Sequence, residues 1–119
     1  MNMPWVNAYL DRELSSKEQE LVKSGLAEIL WDVLAKEERG LYVTFSSTAG
    51  TYRAGERCRD GAVINIKYIG NFPMAKKQEI TRRICGFMSQ HLALDPAKII
   101  VPFDEMASEN WGRREGNYS

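Results

Sequence analysis

Residues 62 to 69, AVINIKYI, constrain the fold more than any other stretch of the chain. Apolar β-branched and aromatic side chains dominate it, and alternation puts Ala62, Ile64, Ile66 and Tyr68 on one side and Val63 and Ile69 on the other. A strand with sizeable side chains on both faces belongs inside a sheet that is covered on both faces. Gly70 ends it, and Pro73 opens a helix whose apolar stripe is Ile80, Ile84, Phe87, Met88 and Leu92. Asp95 and Pro96 then turn the chain into IIVPF, a short strand in which Pro102 limits how far the ladder extends on that side.

The first half of the chain carries the same order of elements. PWVNAYL reads as a strand, with Trp5, Val6 and Tyr9 supplying its β-formers. Ser15 and Glu18 form a capping box, Leu14 is the staple residue before it, and Val22, Leu26, Ile29, Leu30 and Val33 recur at helical spacing to about Ala35. Lys36 and Arg39 suit the negative end of that helix, and Gly40 is placed to stop it. LYVTF, alternating Leu41, Val43 and Phe45, is the next strand. Residues 46 to 61 hold three glycines and little periodicity, so they read as a long connection with some irregular or short strand character.

Strand, helix, strand, written twice, predicts an α+β fold of tandem β-α-β units. Each helix crosses between parallel strands, which gives a four-stranded mixed sheet with two helices on one face. No residue-level repeat links the halves, so the duplication is one of pattern. The other sheet face would be apolar and in water, and self-association is the expected way to cover it. A length of 119 residues suits one domain, residues 1–119, with no room for a second core.

Charge narrows the partners. Sixteen basic residues against sixteen acidic ones leave no field to attract a phosphate backbone, so nucleic acid is not an expected partner. No run approaches the roughly 18 apolar residues of a spanning helix, and no membrane partner is expected. Asn7, Asp11, Arg12 and Glu13 interrupt any apolar leader, so a cytoplasmic location is expected. Cys58, Cys85 and the single His91 are too few soft ligands for a zinc site; no metal or cofactor is expected. Both cysteines read as reduced, Cys85 as a small buried hydrophobe.

Several features together resemble the tautomerase superfamily, in its macrophage migration inhibitory factor branch. They are Pro4 heading the first strand, Lys36 between the first helix and second strand, YIG at Tyr68 to Gly70, ICGFM, LALDPAKIIV, and NWG at Asn110 to Gly112. The resemblance runs from Pro4 to Tyr118. It implies a homotrimer whose sheets surround a central channel, with an active site at each subunit boundary. There an N-terminal proline, Pro4, moves a proton between carbon and oxygen of an enolisable keto acid, and Lys36 is the neighbouring cation.

The chemistry explains why a proline is wanted. A free α-amine has a pKa of about 7.7 to 8.0, and burial beside a cation lowers it toward neutrality. The pyrrolidine ring also fixes the direction of the lone pair. Inside an amide that lone pair is delocalised and the base is gone. Residues 1–3 precede Pro4 as an extension. If translation starts at Met3 and that methionine is removed, Pro4 is a base; if it starts at Met1, Pro4 is blocked.

The remaining site residues also follow from the resemblance. Ile69 matches a position whose backbone bonds a ligand. Ile100 and Pro102 stand where the branch typically has a tyrosine and an asparagine that hold a neighbouring subunit's substrate. Trp111 stands where a small residue is usual and can line or plug an aromatic slot. Arg113, followed by Arg114, suits a grip on a carboxylate or is a solvated tail pair. Two functions stay open: a keto-enol tautomerase acting on a small carboxylated substrate such as an arylpyruvate, or a noncatalytic trimer that binds a ligand or protein with Pro4 blocked.

Overall fold

The computed structural model describes residues 4–35, 40–114 and 116–117. The first unit is β1 (Trp5–Leu10), α1 (Ser16–Leu34) and β2 (Tyr42–Ser47). A small hairpin, β3 (Tyr52–Arg53) and β4 (Glu56–Arg57), lies in the connection. The second unit is β5 (Ala62–Ile69), α2 (Met74–Leu92), β6 (Ile99–Ile100) and β7 (Phe103–Met106). A tail hairpin, β8 (Gly112–Arg113) and β9 (Gly116–Asn117), forms its own sheet.

The main sheet runs β2, β1, β5, β6, with β7 also paired to β5. Pairing is parallel within each unit, β1 with β2 and β5 with β6 and β7, and antiparallel where β1 meets β5. This is the tandem arrangement expected from the sequence. The last lane differs in one respect: Pro102 interrupts it without ending it. Proline has no N–H to give, but its carbonyl accepts from the Ile66 N–H at 2.9 Å, and pairing resumes from Phe103 to Met106.

One face of the sheet and both helices build the core. Val6, Ala8 and Leu10 from β1 and Ile64, Ile66 and Tyr68 from β5 pack with Val22, Leu26 and Leu30 of α1 and Ile80, Ile84 and Met88 of α2. Gly25 sets the approach of the helices, because a Cβ there would lie 2.2 Å from the Phe87 ring. The capping box is present: Ser15 Oγ accepts from the Glu18 N–H at 3.1 Å and the Glu18 carboxylate accepts from the Ser15 N–H at 3.0 Å. The stop of α1 is Ala35 and not Gly40. Ala35 adopts a left-handed backbone, φ 56°, and its N–H bonds the Trp31 carbonyl at 2.9 Å.

The second face corrects the expectation of an apolar surface. Trp5, Tyr9, Val63 and Ile69 share it with Asn7, Thr44, Asn65 and Lys67, because the period of β1 and β2 puts polar residues beside those of β5. Trp5 Nε1 donates to Thr44 Oγ1 at 2.9 Å, while Asn65 and Lys67 both donate to Asp104, at 3.0 and 2.8 Å. Asn7 lies between Thr44 and Asn65. It is 5% exposed, and among the described residues its Nδ2 has no partner.

Candidate active site

Proline is tolerated at the first position of a strand, where its missing N–H breaks no ladder. Pro4 occupies that position at the head of β1, a strand flanked on both sides. Its carbonyl accepts from the Tyr42 N–H at 3.0 Å, which seats it in the sheet, and its side chain is fully buried. Trp5 pairs with Lys67, so one step back along β1 sets Pro4 opposite Tyr68. By the same alternation Pro4 and Tyr68 share the core face with Val6 and Ile66.

Around Tyr68 lies a polar cluster that reading the sequence did not reveal. The Tyr68 hydroxyl donates to Glu105 Oε2 at 2.8 Å, and the Phe72 N–H donates to the same oxygen at 3.1 Å. Lys77 Nζ meets Glu105 Oε1 at 3.2 Å. The Tyr68 ring stacks at a tilt on Phe72, with centroids 4.4 Å apart, and meets Phe103 edge-on at 6.5 Å. Burial, and then the bond to Glu105, push the phenol pKa above its ordinary value. The Tyr68 hydroxyl, with Lys77 and the Phe72 N–H, holds the Glu105 carboxyl below the usual carboxylate range.

The other expected residues are dispersed in a single chain. Ile69 is buried at the end of β5, at the same end of the sheet as Pro4, and pairs with Met106. Pro102 sits in the broken lane with its carbonyl bonded as described. Ile100 is 60% exposed and pairs with Val63, which lies opposite Tyr9. Five residues along a strand span about 17 Å, so Ile100 of one chain does not reach its own Pro4. Trp111 is half-buried after the short turn Ser108–Asn110, and its N–H bonds the Ser108 carbonyl at 3.1 Å. Arg113 is exposed in the tail hairpin. Lys36 lies outside the described residues. Among the described residues no cluster of three or more His, Cys, Asp or Glu could hold a metal, and no helix is long and apolar enough to cross a membrane.

Neither a family model nor a curated protein matches this sequence. Solved structures do match it over nearly its whole length. Leishmania major MIF2 superposes with a TM-score of 0.86 at 17% identity, covering 98% of this chain and 97% of that one. The chain has the macrophage migration inhibitory factor fold. The same fold is seen in Pt0534 inactivated by 2-oxo-3-pentynoate, with a TM-score of 0.84 at 11% identity, covering 96% of this chain and 94% of that one. It is seen again in a fused 4-OT, an asymmetric trimer, with a TM-score of 0.83 at 13% identity and coverage of 95% and 94%. The resemblance to tautomerase-superfamily proteins read from the sequence is thus borne out in the architecture, two helices on one face of a mixed sheet.

Proposed function

We propose that this protein is a keto-enol tautomerase, an isomerase of small carboxylated keto or enol acids such as an arylpyruvate, with Pro4 as its general base once that residue is the free N-terminus. The observation that carries this reading is the seat of Pro4, buried and bonded through its own carbonyl at the head of a central strand. A nitrogen freed there has a fixed direction, and burial favours its neutral form. It takes a proton from the carbon beside the keto group; negative charge moves to the oxygen, and the proton is then returned to that oxygen. Lys36, which follows the Ala35 cap of α1, is the cation proposed to bind the carboxylate or carbonyl and to lower the basicity of the proline. The 2-oxo acid that inactivates Pt0534, a protein of the same fold, supports the substrate class.

The site is completed by self-association into a homotrimer. Ile100 and Pro102 of a neighbour, the Ile69 backbone, and Trp111 and Arg113 of the tail form its walls. The wide separation of Ile100 from its own Pro4 and the trimeric fused 4-OT support this assembly. One observation favours a second reading, a noncatalytic trimer that binds a ligand or protein. Ile100 is an exposed apolar residue where the family resemblance leads one to look for a phenol, which makes a less polar pocket.

Two chains decide between them, one beginning at Met1 and one at Pro4, assayed for phenylpyruvate tautomerisation. Turnover is expected only from the second. It should fall by about 10²-fold or more in Pro4→Ala, the scale of a lost general base, and should also fall in Lys36→Ala. Equal rates in all of these would overturn the enzyme reading.

A further inference from the structure

We propose that Glu105 and Lys77, acting across the ring of Tyr68, set how readily the Pro4 nitrogen holds a proton; this rests on Pro4 being a free amine, as in the function proposed above. Three residues stand in one row on the core face: Pro4 immediately before β1, Tyr68 on β5 and Glu105 on β7. Tyr68 and Glu105 are register partners, and Pro4 follows from the Trp5 to Lys67 pair. Neighbouring strands lie about 4.8 Å apart, so the backbones of Pro4 and Glu105 are about 10 Å apart. What stands between them in the row is the buried Tyr68, 1% exposed, while the Glu105 side chain is 34% exposed, so water screens part of its field.

The carboxylate is fixed. One oxygen accepts from the Tyr68 hydroxyl and the Phe72 N–H, and the other faces Lys77. Two nearby lysines are engaged elsewhere, and the effect of Glu105 and Lys77 adds to that of Lys36 and Arg113, which the function proposed above puts at the same site. Lys76 Nζ donates to the Val33 carbonyl at 2.9 Å, and Lys67 pairs with Asp104 on the opposite face. The charge of Glu105 favours a protonated Pro4, and Lys77, as its counter-charge, weakens that field. For charges separated by about that much, at an effective dielectric of about 20, one unscreened charge moves the midpoint of an amine by about one pH unit, so a carboxylate paired with Lys77 and partly exposed moves it by less. Glu105 and Lys77 are therefore positioning residues with opposite signs of effect.

The test is an NMR titration of the Pro4 amine in the chain that begins at Pro4, which needs no substrate. Glu105→Gln keeps an acceptor for Tyr68 and Phe72 while removing the charge, and should lower the midpoint by up to about one pH unit. Lys77→Met should raise it by less, and Lys77→Arg should restore the parent value. A purely structural role for the cluster predicts no such opposition of sign. Unmoved midpoints, or midpoints that move the same way in Glu105→Gln and Lys77→Met, would overturn the proposal. Ordered midpoints without turnover of any 2-oxo acid would instead defeat the tautomerase reading and leave this inference standing.

Discussion

The two strand-helix-strand units share a topology and differ in how their helices begin. Each helix is 19 residues long and ends on an alanine with a left-handed backbone, Ala35 and Ala93, both at φ 56°. At its start α1 is self-contained, with Ser15 and Glu18 exchanging bonds three residues apart. The start of α2 has no side-chain cap at Pro73, and it carries Lys76 and Lys77 where the helix dipole favours acids. The nearby Phe72 N–H is met instead by Glu105, 33 residues further along the chain, which also pairs with Lys77. Local chemistry therefore starts the first helix, whereas at the start of the second the residue before the cap and the Lys77 ammonium are held by a carboxylate of β7, on the far side of β5 from Pro4.

The largest expected effect lies where the two units meet. Gly25 of α1 faces the Phe87 ring of α2, and a methyl group there would overlap it. Gly25→Ala should cost about 1–3 kcal/mol, the range for overpacking a core. Phe87→Leu in the same chain should recover part of that loss, read by thermal denaturation of the single and double variants. Unchanged stability in Gly25→Ala would mean that the ring swings aside and that the helices are not locked at this point.

The caps give the next effect and a pH signature. Ser15→Ala should cost about 1 kcal/mol by removing the acceptor for the Glu18 N–H. The Ser15 N–H, and then Arg12, hold the Glu18 carboxyl below its ordinary range, as the Tyr68 hydroxyl does for Glu105. Because the folded carboxyls bind protons less readily than the unfolded ones, the stability they add is complete above about pH 4.3 and is lost as pH falls through their folded values. Acid unfolding followed by circular dichroism should therefore be less steep in Glu18→Gln and in Glu105→Gln. Only the second of these should also move the Pro4 midpoint, which separates the two units by function.

Much of this was legible because the signals are local. AVINIKYI, both apolar stripes, the capping box and the doubled order of elements each depend on spacing within one segment, and each lies where expected. Pro4 at the head of a strand was legible for the same reason. The misses all depend on a neighbouring segment. Ala35 stops α1 because its N–H finds the Leu30 and Trp31 carbonyls, at a backbone cost small enough for packing to override. The lane through Pro102 continues because Ile66 is positioned to donate to its carbonyl. The open face is mixed because Asn7 and Thr44 are brought beside Asn65. The Tyr68, Glu105 and Lys77 cluster needs the parallel register of β5 and β7, which no single segment encodes.

The smallest effect concerns the one feature the two units hold in common. An alanine in the left-handed region costs about 1 kcal/mol, and a glycine there removes that strain while adding freedom to the unfolded chain. The difference favours glycine, and Ala35→Gly and Ala93→Gly should each raise stability by about 0.5 kcal/mol, visible as a higher melting temperature. Their effects on turnover should differ. In sequence Ala35 immediately precedes Lys36, so the added backbone freedom of a glycine there should reduce the proposed tautomerase activity, while Ala93, at the far end of α2, should leave that activity at the parent level. Equal activity in the two variants would count against a role for the end of α1 in the proposed function, and the proposed asymmetry between the units would then rest on the start of α2 alone.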